Sequence, residues 1–230
     1  MKNIGLIGGM SWESSALYYQ LINQETKRRL GGHHNAPSSM ITVDFAEVER
    51  LQRAEEWTQL GALLATCAAR LELSGAELIL LCTNTMHKVA DSIENVIGIP
   101  FLHIVDATAA AITRAGHSTV GLLATRFTME QGFYVERMWA RFGIEVIVPS
   151  ASSRDVVHKI IYEELCHGII REESREKYQN VIAELSESGA EAIILGCTEI
   201  ELLISQADSM LPAYPSTRIH AEAAVDLALA

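Results

Sequence analysis

Ser74-Gly75-Ala76-Glu77 recurs unchanged as Ser188-Gly189-Ala190-Glu191, and a shift of 114 positions carries the first tetrapeptide onto the second. The same shift lays residues 78–82 on 192–196 and Thr83 on Cys197. Upstream it aligns two helical patterns, placing Leu64 on Tyr178, Cys67 on Val181 and Leu71 on Leu185. Ile4-Gly5-Leu6-Ile7 matches Val120-Gly121-Leu122-Leu123 at a shift of 116, and Ile99-Pro100-Phe101 matches Leu211-Pro212-Ala213 at 112. Small insertions in surface loops account for that drift. One matched tetrapeptide could arise by chance. Three segments in the same order, at nearly constant offset, make the chain two copies of one unit.

The unit is α/β. Strands are expected at 3–7, 40–44, 77–82 and 101–104, and again at 120–123, 145–148, 191–196 and 211–214. Most are short, rich in Val, Ile and Leu and only weakly alternating, as strands buried on both faces are. A helix is expected over 57–73, with Leu60, Leu63, Leu64, Cys67 and Leu71 on one face, and another over 174–187, with Tyr178, Val181, Ile182 and Leu185. Each stops at a Ser-Gly pair, because glycine takes the left-handed cap conformation at little cost. Strands alternating with helices imply parallel sheets. The expected fold is two pseudo-symmetric, doubly wound parallel-sheet domains with a ligand cleft between them. Ligands of such sheets bind beyond the carboxyl ends of the strands, which points to the loops 8–11, 83–87, 124–128 and 197–200.

Composition excludes several classes. A net charge of −11, with no dense Lys/Arg stripe, argues against nucleic-acid binding. No apolar stretch approaches the ~20 residues that span a bilayer. Cys67, Cys82, Cys166 and Cys197 form neither a C-x-x-C pair nor a disulfide framework. With no cleavable signal pattern at the start, a cytoplasmic location is expected. The eight histidines show no metal-ligand spacing, so no metal is expected. Gly5-Leu6-Ile7-Gly8-Gly9 departs from the dinucleotide fingerprint.

Two loops carry chemistry. Gly196 lets the chain turn out of its strand, leaving Cys197 just before an expected helix, where amides and dipole are expected to lower a thiol pKa. A buried structural thiol is the alternative, but Gly-Cys-Thr-Glu is too polar for a core strand. In the duplicate, Thr83-Asn84-Thr85-Met86-His87, hydroxyls, an amide and turn amides suit a carboxylate. The same residues also suit a capped helix start. Cys82 points to the opposite face and belongs to the core.

Gly8-Gly9-Met10 after the first strand, Asn84-Thr85-Met86-His87, and Gly196-Cys197-Thr198-Glu199 together resemble the aspartate/glutamate racemase family, over essentially the whole chain. Its branch of broad-specificity amino-acid racemases and L-aspartate/glutamate-specific racemases is the most similar. The resemblance implies a homodimer and a two-base proton transfer without pyridoxal phosphate or any other cofactor. It also implies substrate in the interdomain cleft and a C-terminal helix packed on the first domain. The domains would then be residues 1–105 with 215–230, and 106–214.

Three positions depart from the family pattern. Gly8-Gly9-Met10-Ser11 stands where glutamate racemases have Asp-Ser-Gly. Thr83 stands in place of the first catalytic cysteine, and its hydroxyl is a far weaker acid than a thiol, whose usual pKa is about 8.5. Cys166 occupies the position of a substrate-gripping Lys, and within Arg50-Leu51-Gln52-Arg53 we favour Gln52 as the residue facing substrate where relatives place an Arg. A bidentate Arg has no neutral substitute, so strict acidic specificity is not expected.

The expected activity is racemisation of aspartate, glutamate or a polar relative such as homoserine. Cys197 would be the thiolate base and Thr83 the weaker opposing group. Asn84, Thr85, Thr125 and Thr198 would hold the α-carboxylate and ammonium, with Met10, Gln52 and Glu199 around the substrate. The rivals are a superfamily decarboxylase or isomerase, and an amino-acid binding protein with little turnover.

Overall fold

The repeated tetrapeptide is a helix stop, a turn and the start of a strand, built identically twice in the computed structural model, which describes residues 1–230. The chain forms β1 (Ile4–Gly8), α1 (Trp12–Leu30), β2 (Ser38–Thr42), α2 (Phe45–Arg53), α3 (Trp57–Leu73), β3 (Leu78–Leu81), α4 (Ala90–Glu94), β4 (Phe101–Leu102) and α5 (Ile104–Ala115). It continues through β5 (Thr119–Leu123), α6 (Arg126–Glu130), α7 (Phe133–Phe142), β6 (Glu145–Ile147), α8 (Ala151–Glu163), α9 (Glu172–Glu187), β7 (Ala192–Leu195), α10 (Ile200–Leu203), β8 (Ala213–Pro215) and α11 (Ser216–Leu229). Two units separate, Met1–Ile104 with His220–Ala230, and Val105–Ile219.

At the end of α3, the Ala76 amide donates to Leu71 O and the Gly75 amide to Glu72 O, with Gly75 at φ +92°. At the end of α9, Ala190 donates to Leu185 O and Gly189 to Ser186 O, with Gly189 at φ +98°. Both are Schellman stops, which satisfy carbonyls that a helix end leaves open. The glutamate that follows ties the strand to its neighbour. Glu77 Oε2 accepts from the Asn3 amide at 2.9 Å. Glu191 Oε2 accepts from the Ser118 and Thr119 amides at 2.7 and 3.2 Å, holding that carboxyl below its usual range.

Each unit carries four parallel strands, in the orders β2-β1-β3-β4 and β6-β5-β7-β8. The registers repeat too. Ile4 opposes Leu78 as Val120 opposes Ala192, and Ile79 opposes Phe101 as Ile193 opposes Ala213. In the first unit, side-chain alternation splits the core in two. Ile7, Ile79 and Leu81 pack with α2, α3 and α4 residues such as Val48, Leu64 and Ile93. Ile4, Leu6, Leu78, Leu80 and Cys82 pack with Tyr18 and Ile22 of α1 and with Ala221, Ala224, Val225 and Ala228 of α11. The strands are therefore covered on both faces, as their apolar character requires. The C-terminal helix lies on the first sheet, as the resemblance implied.

A glycine in each central strand sets the distance to the helix above it. A Cβ on Gly5 would lie 2.9 Å from Ala76 Cβ and 3.3 Å from Leu71 Cβ. On Gly121 it would lie 2.8 Å from Leu185 Cδ1 and 3.2 Å from Leu185 Cβ. Leu71 and Leu185 are duplicates, so both copies retain one close approach.

All eight expected strands form, each with at least one edge moved by one or two residues. The second ends at Thr42 rather than 44, because Asp44 caps α2 by accepting from the Ala46 amide at 3.1 Å. The fourth stops at Leu102, since Ile104 already begins α5. The eighth starts at Ala213, after Pro212 has offered its carbonyl to the Ile193 amide. No helix is long and apolar enough to cross a membrane.

Inside the first unit, Tyr18 OH lies 2.8 Å from His220 Nδ1, and His220 Nε2 lies 2.8 Å from Leu102 O. Nε2–H thus donates to the carbonyl while Nδ1 accepts from the phenol, which leaves no site for a second proton. Burial lowers the His220 pKa to about 4.

Two measurements follow. Gly121→Ala should cost about 1–3 kcal/mol in urea unfolding, and combining it with Leu185→Ala should cost less than the sum by at least about 0.5 kcal/mol. Strict additivity would remove the close approach as the spacing constraint. For His220, the unfolded chain binds the proton below about pH 6.5 and the folded chain only near 4. Stability should therefore be full above the unfolded value and fall between those limits, by up to about 3 kcal/mol. His220→Gln should flatten that acid slope; an unchanged slope would assign it to other groups.

Candidate active site

The second and fourth turns identified in the sequence lie at the carboxyl ends of duplicate strands, β3 and β7. The chain pivots there through small residues: a Cβ on Gly196 would meet Leu123 O at 3.2 Å and Ala124 Cβ at 3.0 Å. Burial repeats residue for residue. Thr83 and Cys197 are each partly exposed, between buried Leu81-Cys82 and Asn84-Thr85 in one copy and buried Leu195-Gly196 and Thr198-Glu199 in the other. One partly exposed position per strand end thus sits within a buried frame.

Cys197 Sγ lies 2.9 Å from Glu199 Oε2, with the thiol donating. Although the residue is partly exposed, the sulfur is enclosed by protein, and that burial, followed by the Glu199 charge, pushes the thiol well above its usual pKa. The expected lowering of this pKa is therefore not what the geometry produces. The physical reason is local: α10 has a single turn, too short for a strong dipole, and a carboxylate stands beside the sulfur. Thr198 Oγ1 lies 3.3 Å from Thr217 Oγ1, and Ser216 Oγ donates to Leu195 O at 2.8 Å, so the start of α11 braces this turn. Cys166 lies in a 3-10 turn at 165–167, after α8, partly exposed and within electrostatic range of Cys197.

In the first unit, Thr83 N–H donates to Leu81 O at 2.9 Å, closing a tight turn before the 3-10 segment Thr85–Val89. Asn84 and Thr85 are buried. Cys82 is buried in the core, where desolvation raises its pKa far above the usual thiol value. Gly8-Gly9-Met10-Ser11 turns out of β1: a Cβ on Gly9, at φ +96°, would strike Val43 O at 2.2 Å, and the Gly9 amide donates to Ser15 Oγ at 2.8 Å. Close backbone approach is what the glycine pair serves. Met10 is buried in the cluster that also holds Leu51 and Met86.

Gln52 is 3% exposed, with Nε2 3.0 Å from Met86 Sδ and Oε1 without a hydrogen-bond partner. Thr125 caps α6, accepting from the Thr128 amide at 3.4 Å. Two groups had no role in the sequence reading. His87 contacts the backbone of Thr83, and Glu201, its duplicate, is raised by burial to about pKa 7 with Oε1 unpartnered. The 114-position shift could have paired them, but not their different chemistry. No group of three or more His, Cys, Asp or Glu side chains is arranged to hold a metal ion.

A thiol against a carboxylate at one strand end, and a hydroxyl in an amide-bearing turn at its duplicate, are groups for moving protons on a small polar molecule. The family model described as Asp/Glu/hydantoin racemase matches residues 7–224. A solved structure from Yersinia pestis, provisionally described as an Asp/Glu racemase, is 53% identical with a TM-score of 0.95, covering 100% of both chains. An aspartate racemase homologue from Pyrococcus horikoshii is 33% identical with a TM-score of 0.86, again over 100% of both. The broad-specificity amino-acid racemase RacX of Bacillus subtilis is 22% identical over 99% of this chain and 98% of its own. The chain belongs to the Asp/Glu/hydantoin racemase family.

Proposed function

We propose that this chain racemises aspartate, glutamate or a related polar amino acid such as homoserine, without a cofactor, with Cys197 as the base. The observation that carries this reading is the Cys197 thiol 2.9 Å from the Glu199 carboxylate, at the partly exposed position of a duplicated strand end. At rest the proton sits on sulfur. Glu199 is placed to accept it, and the ammonium of an arriving amino acid favours the thiolate, because a positive charge stabilises a nearby anion. The thiolate then removes the α-proton. A solvent proton relayed by Thr83 returns to the opposite face, inverting the centre. Asn84, Thr85, Thr125 and Thr198 hold the carboxylate and ammonium, since charged groups leaving water need partners.

Met10 and Gln52 border the side-chain pocket in this proposal. One end of the buried Gln52 amide lacks a partner, which supports a polar side chain but not the bidentate grip of an Arg. The broad specificity named for the Bacillus relative is consistent with that. A homodimer in the cytoplasm completes the proposal. A second reading, an amino-acid binding protein with little turnover, is favoured by one observation: the group at position 83 is a hydroxyl.

Each enantiomer of aspartate, glutamate and homoserine, incubated in D2O, should acquire α-deuterium and lose chirality. Cys197→Ala should abolish exchange, by at least about 10²-fold for loss of a general base, while Cys82→Ala should retain it. An absence of exchange with every amino acid, alongside measurable binding, would establish the second reading instead. Thr83→Cys should raise reversible racemisation, read by chiral chromatography, because a thiol is the stronger acid. Unchanged or lower turnover would show that position 83 is not the deficient partner.

A further inference from the structure

We infer that His87 is a positioning residue for the Thr83 turn, acting as a neutral imidazole bridged between two backbone groups. The inference rests on the racemase reading above. His87 Nδ1 lies 2.8 Å from Thr83 O, and the Ile104 amide donates to His87 Nε2 at 3.2 Å. These two contacts fix the tautomer: Nδ1 carries the proton and Nε2 the lone pair. The ring is 2% exposed, lies 4.5 Å from His103 and 5.8 Å from His220 by centroids, and is flanked by Phe101 at 5.6 Å. A buried ring packed on several sides, with both nitrogens engaged, has little freedom to move.

The atom it holds matters. The Thr83 carbonyl belongs to the peptide that leads into Asn84, so fixing it holds the backbone from which the Thr83 side chain projects. The other end of the ring is anchored at the first residue of α5, directly after β4. His87 therefore clamps the end of β3 to the end of β4, two neighbouring parallel strands. The second copy lacks this device. Glu201 replaces His87 there, and its buried Oε1 has no hydrogen-bond partner. The Thr83 turn is thus held by an imidazole clamp that the Cys197 turn does without.

The two racemisation half-steps let this be read separately from general damage. In D2O, α-deuteration follows proton removal by Cys197, whereas inversion also requires delivery from the Thr83 side. His87→Asn keeps a donor at the Nδ1 position, and His87→Gln keeps an acceptor for the Ile104 amide but loses the donor to Thr83. The inversion-to-exchange ratio, measured by chiral chromatography and NMR on the most active amino acid of the panel above, should fall at least about tenfold in His87→Gln. In His87→Asn it should stay within about threefold of the unmodified chain. Equal ratios in the two variants, or parallel loss of exchange and inversion in both, would overturn the inference. An unmodified chain that exchanges nothing overturns the racemase reading and this inference with it. Exchange with an unchanged ratio in His87→Gln overturns this inference alone.

Discussion

The approach of Gly5 to Leu71, and of Gly121 to Leu185, governs how closely a helix can lie on the central strand of each sheet. A side chain on either glycine would lift the helix. The Schellman stop one turn later would then no longer deliver the following strand in register with its neighbour. Because parallel strands here pair over only a few residues, a displaced start displaces the end as well. The turns that present Thr83 and Cys197 lie at those ends. Helix spacing, strand register and the positions of Thr83 and Cys197 are in this sense one constraint, satisfied twice by the same residue types.

The sequence made that constraint legible because duplication prints it twice. Ser-Gly-Ala-Glu, the central-strand glycine and the helical leucine each recur at nearly the same offset, so eight strands and both helix stops could be placed. Edges were harder, because capping competes with pairing: Asp44 ends a strand by starting a helix, and Ile104 is as apolar in α5 as it would be in β4. The environment of the thiol was not legible at all. A cysteine before a helix suggests a stabilised thiolate, but the length of α10, the enclosure of the sulfur and the side-chain rotamer that brings Glu199 to 2.9 Å are properties of packing. Likewise, the sequence motif contains His87 without showing that its two nitrogens meet two backbone groups, one in the turn after β3 and one at the start of α5.

Repetition of backbone has not produced repetition of chemistry. The two turns share burial pattern, strand position and register, yet each of their paired positions has diverged. Thr83 faces Cys197 in the alignment, and His87 faces Glu201. Such divergence is inexpensive for the fold, since these residues follow the strands rather than form them. It is consequential for reactivity, because a hydroxyl and a thiol differ by several units of acidity.

The last helix adds a condition on how the molecule comes into being. One face of the first sheet, carrying Ile4, Leu6, Leu78 and Leu80, is packed in part by Ala221, Ala224, Val225 and Ala228, residues translated after the whole of the second unit. The second unit, Val105–Ile219, contains no residue later than 219. The half that is translated first is therefore completed last. Throughout most of synthesis its apolar sheet face stands uncovered, a species of the kind that chaperones hold. Removing α11 alone would open one of the two cores of the amino-terminal half rather than a core of the adjacent one.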